Sequence, residues 1–340
     1  MEDTHTTSMI FHTRRYPSPD TASSNQLHHE MHQMIRWADS KLNFCAFSEH
    51  HISNDGFMSS PMLASALAVG CTNKLRIRNA AVLAPLHDPL EIAEQITMLD
   101  LLSSGRVKTI LALGYRECEY QLFDVDWEHR GQVFNEKLEI ILQLLRGETV
   151  SYRGLEIKLE HLPVSPINEI VGIGGNSRPA AKRAARAGLD YHPAFHCADT
   201  EAEYHALCNK QDVDGRYYAP ADNLSFLLIH EDPDKVWHEH GKFMLFDAMS
   251  YQNISHTSRV SCRECDAETV QGLRESGAYS VLTPDEAIEH FNTDSSMVIN
   301  PLVGGMHPDI GWNTLELYHS KVYPVIVNQL DRDGLDAVIH

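Results

Sequence analysis

Apolar positions along this chain alternate between short dense runs and longer stretches spaced for a helix face. The stretch from Leu99 to Tyr120, LDLLSSGRVKTILALGYRECEY, shows both. Leu99, Leu101 and Leu102 close the apolar face of a helix, and Ser103, Ser104 and Gly105 break it. The run over 107–113 then reads as a buried strand, which Gly114 ends. The same unit recurs. Strands are predicted over 8–12, 43–47, 75–83, 107–113, 170–173, 190–194, 224–229 and 296–302. Helices are predicted over 27–41, from Pro61 to Val69, from Pro89, and over 128–145, 178–187, 201–209, 233–249, 284–291 and 310–327. Asp88 followed by Pro89 is a helix start, because an Asp side chain caps free N–H groups and proline suits the first turn. Ile92, Ile96 and Leu99 share one face of that helix, and Phe134, Leu138, Ile141, Leu142 and Leu145 share one face of a later one. Two stretches leave the alternation: a small hairpin at 148–162 and a polar, irregular insertion at 251–277.

Eight strands alternating with helices on short connections predict an α/β fold, a (β/α)8 TIM barrel. An open, doubly wound sheet is the alternative. No GxGxxG follows the first strand, which counts against a dinucleotide-binding domain. The length, 340 residues, suits one barrel domain over 1–330 with a tail at 331–340.

Composition narrows the partners. A net charge of −19 argues against nucleic acid, whose phosphates would repel it. No apolar run has the ~18 residues of a membrane span. The first 15 residues lack an apolar signal region, so a cytoplasmic location is expected. Seven cysteines, an odd number, favour reduced thiols. Cys262 and Cys265 form one CxxC near His256, half a zinc site at most, with two free thiols in a surface loop as the plain alternative. No metal is expected.

In a barrel the site lies at the carboxyl ends of the strands. There the sequence places Glu49, His50 and His51; Pro85, His87 and Asp88; Gly114, Tyr115 and Arg116; the loop Gly174-Gly175-Asn176-Ser177-Arg178; His192 and His196; and Gly304 and Gly305. The two glycines at 174–175 let backbone approach a ligand. Asn176 or Ser177 can cap the next helix, whose free N–H groups suit a phosphate, and Arg178 would add charge. The same five residues also serve as an ordinary β–α turn. His50 and His51 point opposite ways on extended backbone, so one of them at most faces the mouth as an acid or base; both could also be structural.

At this point the chain resembles the luciferase-like monooxygenase family, the flavin- or deazaflavin-dependent barrels related to bacterial luciferase. The resemblance is carried by FSEHHISNDGF (47–57), RIRNAAVLAPLHDPLEIAEQITMLDLLSSGRV (76–107), LGYRECEYQLFDVDWEHRGQVFNE (113–136), VGIGGNSRPAAKRAARAGLDY (171–191) and NPLVGGMHPDIGWNTLELY (300–318). These span most of the chain in the family's order. The resemblance implies that His50 is the acid/base near the flavin. It implies that Ala80 and Ala81 match a pair that carries a non-proline cis peptide under the flavin ring. It implies that Gly114 lies by the cofactor, and that Gly174, Gly175, Asn176, Ser177 and Arg178 hold its phosphate. Arg130 matches a recurrent arginine without an assigned role. Where luciferases place a cysteine and a phosphate-binding arginine after the fourth strand, this chain has apolar residues and Gly114, which argues against light emission.

The implied reaction is a flavin-dependent monooxygenation. Reduced FMN, supplied by a separate flavin reductase, reacts with O2 through a C4a-hydroperoxide to oxygenate a small organic substrate. With the deazaflavin F420 as cofactor the reaction becomes hydride transfer instead. A flavin-binding or non-redox barrel without turnover is the third reading. Family members are often homodimers, and a homodimer is the implied assembly.

Overall fold

The structure is a computed structural model that describes residues 6–220, 224–252 and 265–332. The zinc reading at His256 and Cys262, the middle of the expected insertion and most of the expected tail lie outside the described residues. In chain order the strands are β1 (Thr6–Phe11), β2 (Phe44–Phe47), β3 (Arg76–Leu83), β4 (Val107–Ala112), β5 (Val150–Tyr152), β6 (Leu155–Ile157), β7 (Val171–Gly174), β8 (Asp190–His192), β9 (Phe226–Ile229), β10 (Tyr279–Leu282) and β11 (Ser296–Ile299). Helices follow nearly every strand, and β5 and β6 form the expected hairpin, antiparallel with Val150 opposite Ile157. The described residues fall into two compact units, one drawn from 1–59, 70–76 and 221–340, the other from 60–69 and 77–220. Among the described residues no helix is long and apolar enough to cross a membrane.

The first unit orders its parallel strands β10-β9-β11-β1-β2. Met9 pairs with Ile299 and Phe11 with Phe47, so one sheet face carries a continuous apolar surface, all of it fully buried. The helix Ser24–Ala38 starts where the Ser23 hydroxyl accepts from the Gln26 N–H. It buries Leu27, Met31, Met34 and Ile35, one stripe at i, i+4, i+7 and i+8. Each such side chain contributes ~1.5–3 kcal/mol on leaving water. The helix ends three residues before the sequence pattern suggests, where Asp39 leaves helical geometry at ψ 122°, and the Asp39 carboxylate accepts the N–H groups of Asn73, Lys74 and Leu75. Those hydrogen bonds hold the Asp39 carboxyl below the usual carboxylate range against the opposing effect of burial.

Two corrections fall in this unit. The strand β10 lies just after the stretch expected to be an irregular insertion, where only a short helix from Pro284 was foreseen. That stretch is also not wholly irregular: it holds the helix Val270–Ser276, capped by the Thr269 hydroxyl and anchored by the buried Leu273. Four residues of YSVL with alternating burial give too weak a period to separate from their polar surroundings.

The second unit orders its parallel strands β3-β4-β7-β8. Val82, Leu111, Ile173 and Tyr191 share a core with Ile92 and Ile96 of the helix Pro89–Ser103, with Phe134, Leu138, Ile141 and Leu142 of the helix Arg130–Leu145, and with Ala181 and Ala184 of the helix Arg178–Ala187. These are the faces the sequence spacing picks out. Asp88 caps its helix as expected, accepting from the Leu90 N–H at 3.0 Å. In β3 the register against β4 shifts between Ala80 and Val82, and the Ala80–Ala81 peptide is cis.

Candidate active site

His50 belongs to the first unit and follows β2. Its side chain is buried, and its ring lies on Phe57 with centroids 3.8 Å apart and planes 27° from parallel. Its N–H donates to the Met58 carbonyl at 2.8 Å, and the Met58 N–H donates in turn to the His12 carbonyl at 2.9 Å. The 50–58 segment is therefore folded back on itself and tied to the exit of β1. The neighbouring His51 takes a different partner, the buried Glu49 carboxylate at 2.6 Å. The two adjacent imidazoles are thus held by different groups, one by an aromatic face and one by a charge.

The other eight candidates belong to the second unit. Ala80 and Ala81 form the cis peptide in β3. Just before it, Asn79 is fully buried, and its amide receives the Ser65 hydroxyl at 2.7 Å and donates to Thr109 at 3.2 Å. Gly114 has φ +75°, and a Cβ there would stand 3.1 Å from Leu83 Cδ2. The loop after β7 is fixed from β8: the Tyr191 hydroxyl donates to the Gly175 carbonyl at 2.7 Å, and the Ala194 N–H donates to Asn176 Oδ1 at 2.7 Å. Burial pushes the Tyr191 hydroxyl up to about 12, so it stays a neutral donor. Ser177 caps the helix Arg178–Ala187 by accepting from the Ala180 N–H, and Pro179 has no N–H to give. Among the described residues, no acceptor meets the N–H groups of Ser177 and Arg178. Free N–H groups at a helix N-terminus favour an anion in general. The Arg178 side chain is exposed. Its guanidinium is paired with Asp199 at 3.1 Å and lies near Glu203 at 3.9 Å, because the next helix presents acidic residues to it.

Sequence reasoning passed over a charged cluster inside this second unit. Lys108 sits in the otherwise apolar β4 and reaches the fully buried Asp190 at 2.5 Å. Arg216 closes on the same carboxylate at 3.3 Å, and its N–H bonds the other oxygen at 3.1 Å. His192 follows two residues on and stacks on Tyr218, centroids 4.8 Å apart. The available signal was a lysine within a β-branched run, where a charge is rarely placed without a partner. Burial, and after it the charges of Lys108, Arg78 and Arg216, hold the His192 imidazole well below its ordinary pKa. The sign follows directly. The unfolded chain binds a proton at His192 near pH 6.5 and the fold does not, so His192's contribution is complete above that pH and lost as pH falls below it. The expected loss is about 1.4 kcal/mol per pH unit between the two pKa values. Denaturant midpoints from pH 7 to 5.5 should fall more steeply for the native chain than for His192→Gln; equal slopes would remove His192 as the cause.

These features define an α/β protein with a phosphate-suited helix end and a buried imidazole at strand exits. The model of the luciferase-like monooxygenase family matches residues 7–291, and the chain belongs to that family. An alkanal monooxygenase beta chain of Photorhabdus luminescens is 31% identical over 289 residues, 77% of this chain and 87% of that one. In other curated relatives the match spans only 41%, 37% and 33% of their length. Among solved structures, the monooxygenase RslO1 from Streptomyces bottropensis is similar with a TM-score of 0.68 at 20% identity, covering 94% of this chain and 99% of that one. The oxygenating constituent of 3,6-diketocamphane monooxygenase of Pseudomonas putida, in complex with FMN, is similar with a TM-score of 0.62 at 17% identity, covering 94% and 98%. The fold class is therefore α/β, the (β/α)8 barrel class of this family.

Proposed function

We propose that the protein is a flavin-dependent monooxygenase that uses reduced FMN and O2 to oxygenate a small organic substrate. The observation that carries this reading is the open helix end after β7, where the Ser177 and Arg178 N–H groups point to no acceptor among the described residues. One terminal phosphate fits such an end, since two N–H groups and the helix dipole act on it together. Gly174 and Gly175 let the chain turn close to it, and Gly175, at φ +126°, sits in a conformation that L side chains rarely adopt. Bound reduced FMN supplies two electrons to O2, so that one oxygen enters the substrate and the other leaves as water. His50 gives or takes the proton this requires. The local hold on its ring by Phe57 keeps the imidazole in one place, which general acid–base catalysis depends on. A separate reductase supplies the reduced flavin. The relation to alkanal monooxygenases makes an alkanal the first substrate probe.

Titration of the purified chain with FMN and with F420, followed by quenching of cofactor fluorescence, tests the reading. Tighter binding of FMN and O2 uptake with reduced FMN support it. Preference for F420 would replace it with hydride transfer, and binding of neither would end it. A second outcome is specific to the loop. Gly175→Leu forces an unfavourable φ and places a Cβ 3.0 Å from Ala180 Cβ. FMN affinity should drop at least about tenfold, a cost of ~1.4 kcal/mol. An unaltered affinity would put the phosphate elsewhere.

A further inference from the structure

Arg14 leaves the carboxyl end of β1 with its side chain only 4% exposed. A buried guanidinium is tolerated when its donors are met by charge. Here two carboxylates meet it. Nε donates to Asp55 Oδ2 at 2.7 Å, and Nη2 bonds the same oxygen. Nη1 reaches Asp247 Oδ1 at 3.2 Å and also bonds Ser250, both on the helix Pro233–Gln252. Asp247 is fully buried and receives the Tyr279 hydroxyl of β10. The guanidinium carbon stands 4.7 Å from the centre of the Phe57 ring and 5.1 Å from that of Phe246. Asp55 is not a passive partner. Its second oxygen accepts from the Phe57 N–H at 3.2 Å and from the Ser53 hydroxyl, so it shapes the turn that carries Phe57. The Arg15 N–H donates to the Asp55 carbonyl at 2.8 Å, and the Thr13 hydroxyl donates to the Gly56 carbonyl at 3.1 Å. Two of these contacts reach the residue whose ring supports His50: the Arg14 guanidinium over the Phe57 ring and the Asp55 carboxylate on the Phe57 N–H.

We propose that Arg14, acting through Asp55 and Phe57, is a positioning residue that fixes the His50 imidazole. This rests on reading His50 as the proton carrier. The guanidinium is rigid and planar, so it grips Asp55 through two nitrogens and covers Phe57 at the same time. A lysine ammonium is a point charge and does not reproduce both. When the grip is lost, the 53–58 turn relaxes, Phe57 tilts, and His50 no longer stands at one angle. Small displacements of a reacting group are costly to rate, and binding of a cofactor held elsewhere is spared.

The test uses the full chain with two readouts. One is the set of imidazole carbon-bound proton resonances of His50 in the cofactor-free protein, which the face of Phe57 shifts. The other is turnover of an alkanal with reduced FMN and O2. In Arg14→Lys the His50 resonances should move toward those of a solvated imidazole and turnover should fall about 10- to 100-fold, with FMN affinity within about twofold. Phe57→Leu should do the same, and Phe57→Tyr, which keeps the aromatic face, should restore both. If Arg14→Lys does not fold, Asp55→Asn carries the same readouts, since it removes the charge that Arg14 grips and keeps its shape. Unmoved resonances and unmoved turnover in these variants would overturn the proposal, as would a Phe57→Leu enzyme equal to Phe57→Tyr. His50→Ala distinguishes the two ideas. If that change leaves turnover intact, the role of His50 falls, while the resonances in Arg14→Lys still report whether Arg14 holds the ring.

Discussion

Replacing His50 with alanine is expected to lower turnover about 10²- to 10⁴-fold, the usual worth of a general acid or base, with FMN affinity within about twofold. The argument is local. The side chain is buried, so the substituted site offers little water to take over proton transfer. The ring is stacked at 3.8 Å on Phe57, so its loss leaves a gap beside an aromatic face and no replacement donor. Its neighbour His51 does not substitute, because it is committed to Glu49 at 2.6 Å. Steady-state oxidation of an alkanal, with reduced FMN saturating, is the measurement. A His50→Gln enzyme keeps the approximate volume and a hydrogen-bonding group but does not titrate, and it should be nearly as slow. Native turnover in both variants would take the proton-transfer role away from His50.

Replacing Asp190 with alanine is expected to have the largest effect on stability, a loss of about 3–5 kcal/mol. Asp190 is fully buried, and it is met by Lys108 at 2.5 Å and by Arg216 at 3.3 Å. Without the carboxylate, Lys108 stays buried with its charge uncompensated, and the Arg216 N–H loses its acceptor. The 216–218 segment runs beside β8, with the Tyr191 N–H on the Arg216 carbonyl and the Tyr218 N–H on the Tyr191 carbonyl, both at 2.9 Å. Loosening Arg216 therefore strains the strand that also fixes the 174–178 loop. Guanidinium unfolding gives the value. The double variant Lys108→Met with Asp190→Leu should recover much of the loss, since no charge is then left buried. A loss below about 1 kcal/mol for Asp190→Ala would mean that the pair is solvated in solution.

The alternation of apolar runs and helical faces in the sequence specified most of the strands and the α/β class, because burial on both sides of a parallel strand requires a dense apolar run whatever its neighbours are. Caps were equally legible. Asp88 and Ser177 act within their own helix ends, so three or four consecutive residues suffice to find them. The order of motifs along the chain also carries the resemblance to the family. What depends on distant residues was not legible. The strand Tyr279–Leu282 exists because β9 offers it a parallel edge, and no local period announces that. Arg178 meets Asp199 from a helix about twenty residues on, a pairing that spacing along the chain does not reveal. Lys108 with Asp190, and Arg14 with Asp55 and Asp247, are partners 82, 41 and 233 positions apart. The sequence by itself determined which segments are buried, since that follows from the apolar content of each run. Only the tertiary structure decided which charges are neutralised and which imidazole is held against which ring, because pairing in a low-dielectric interior is set by proximity in space and not by spacing along the chain.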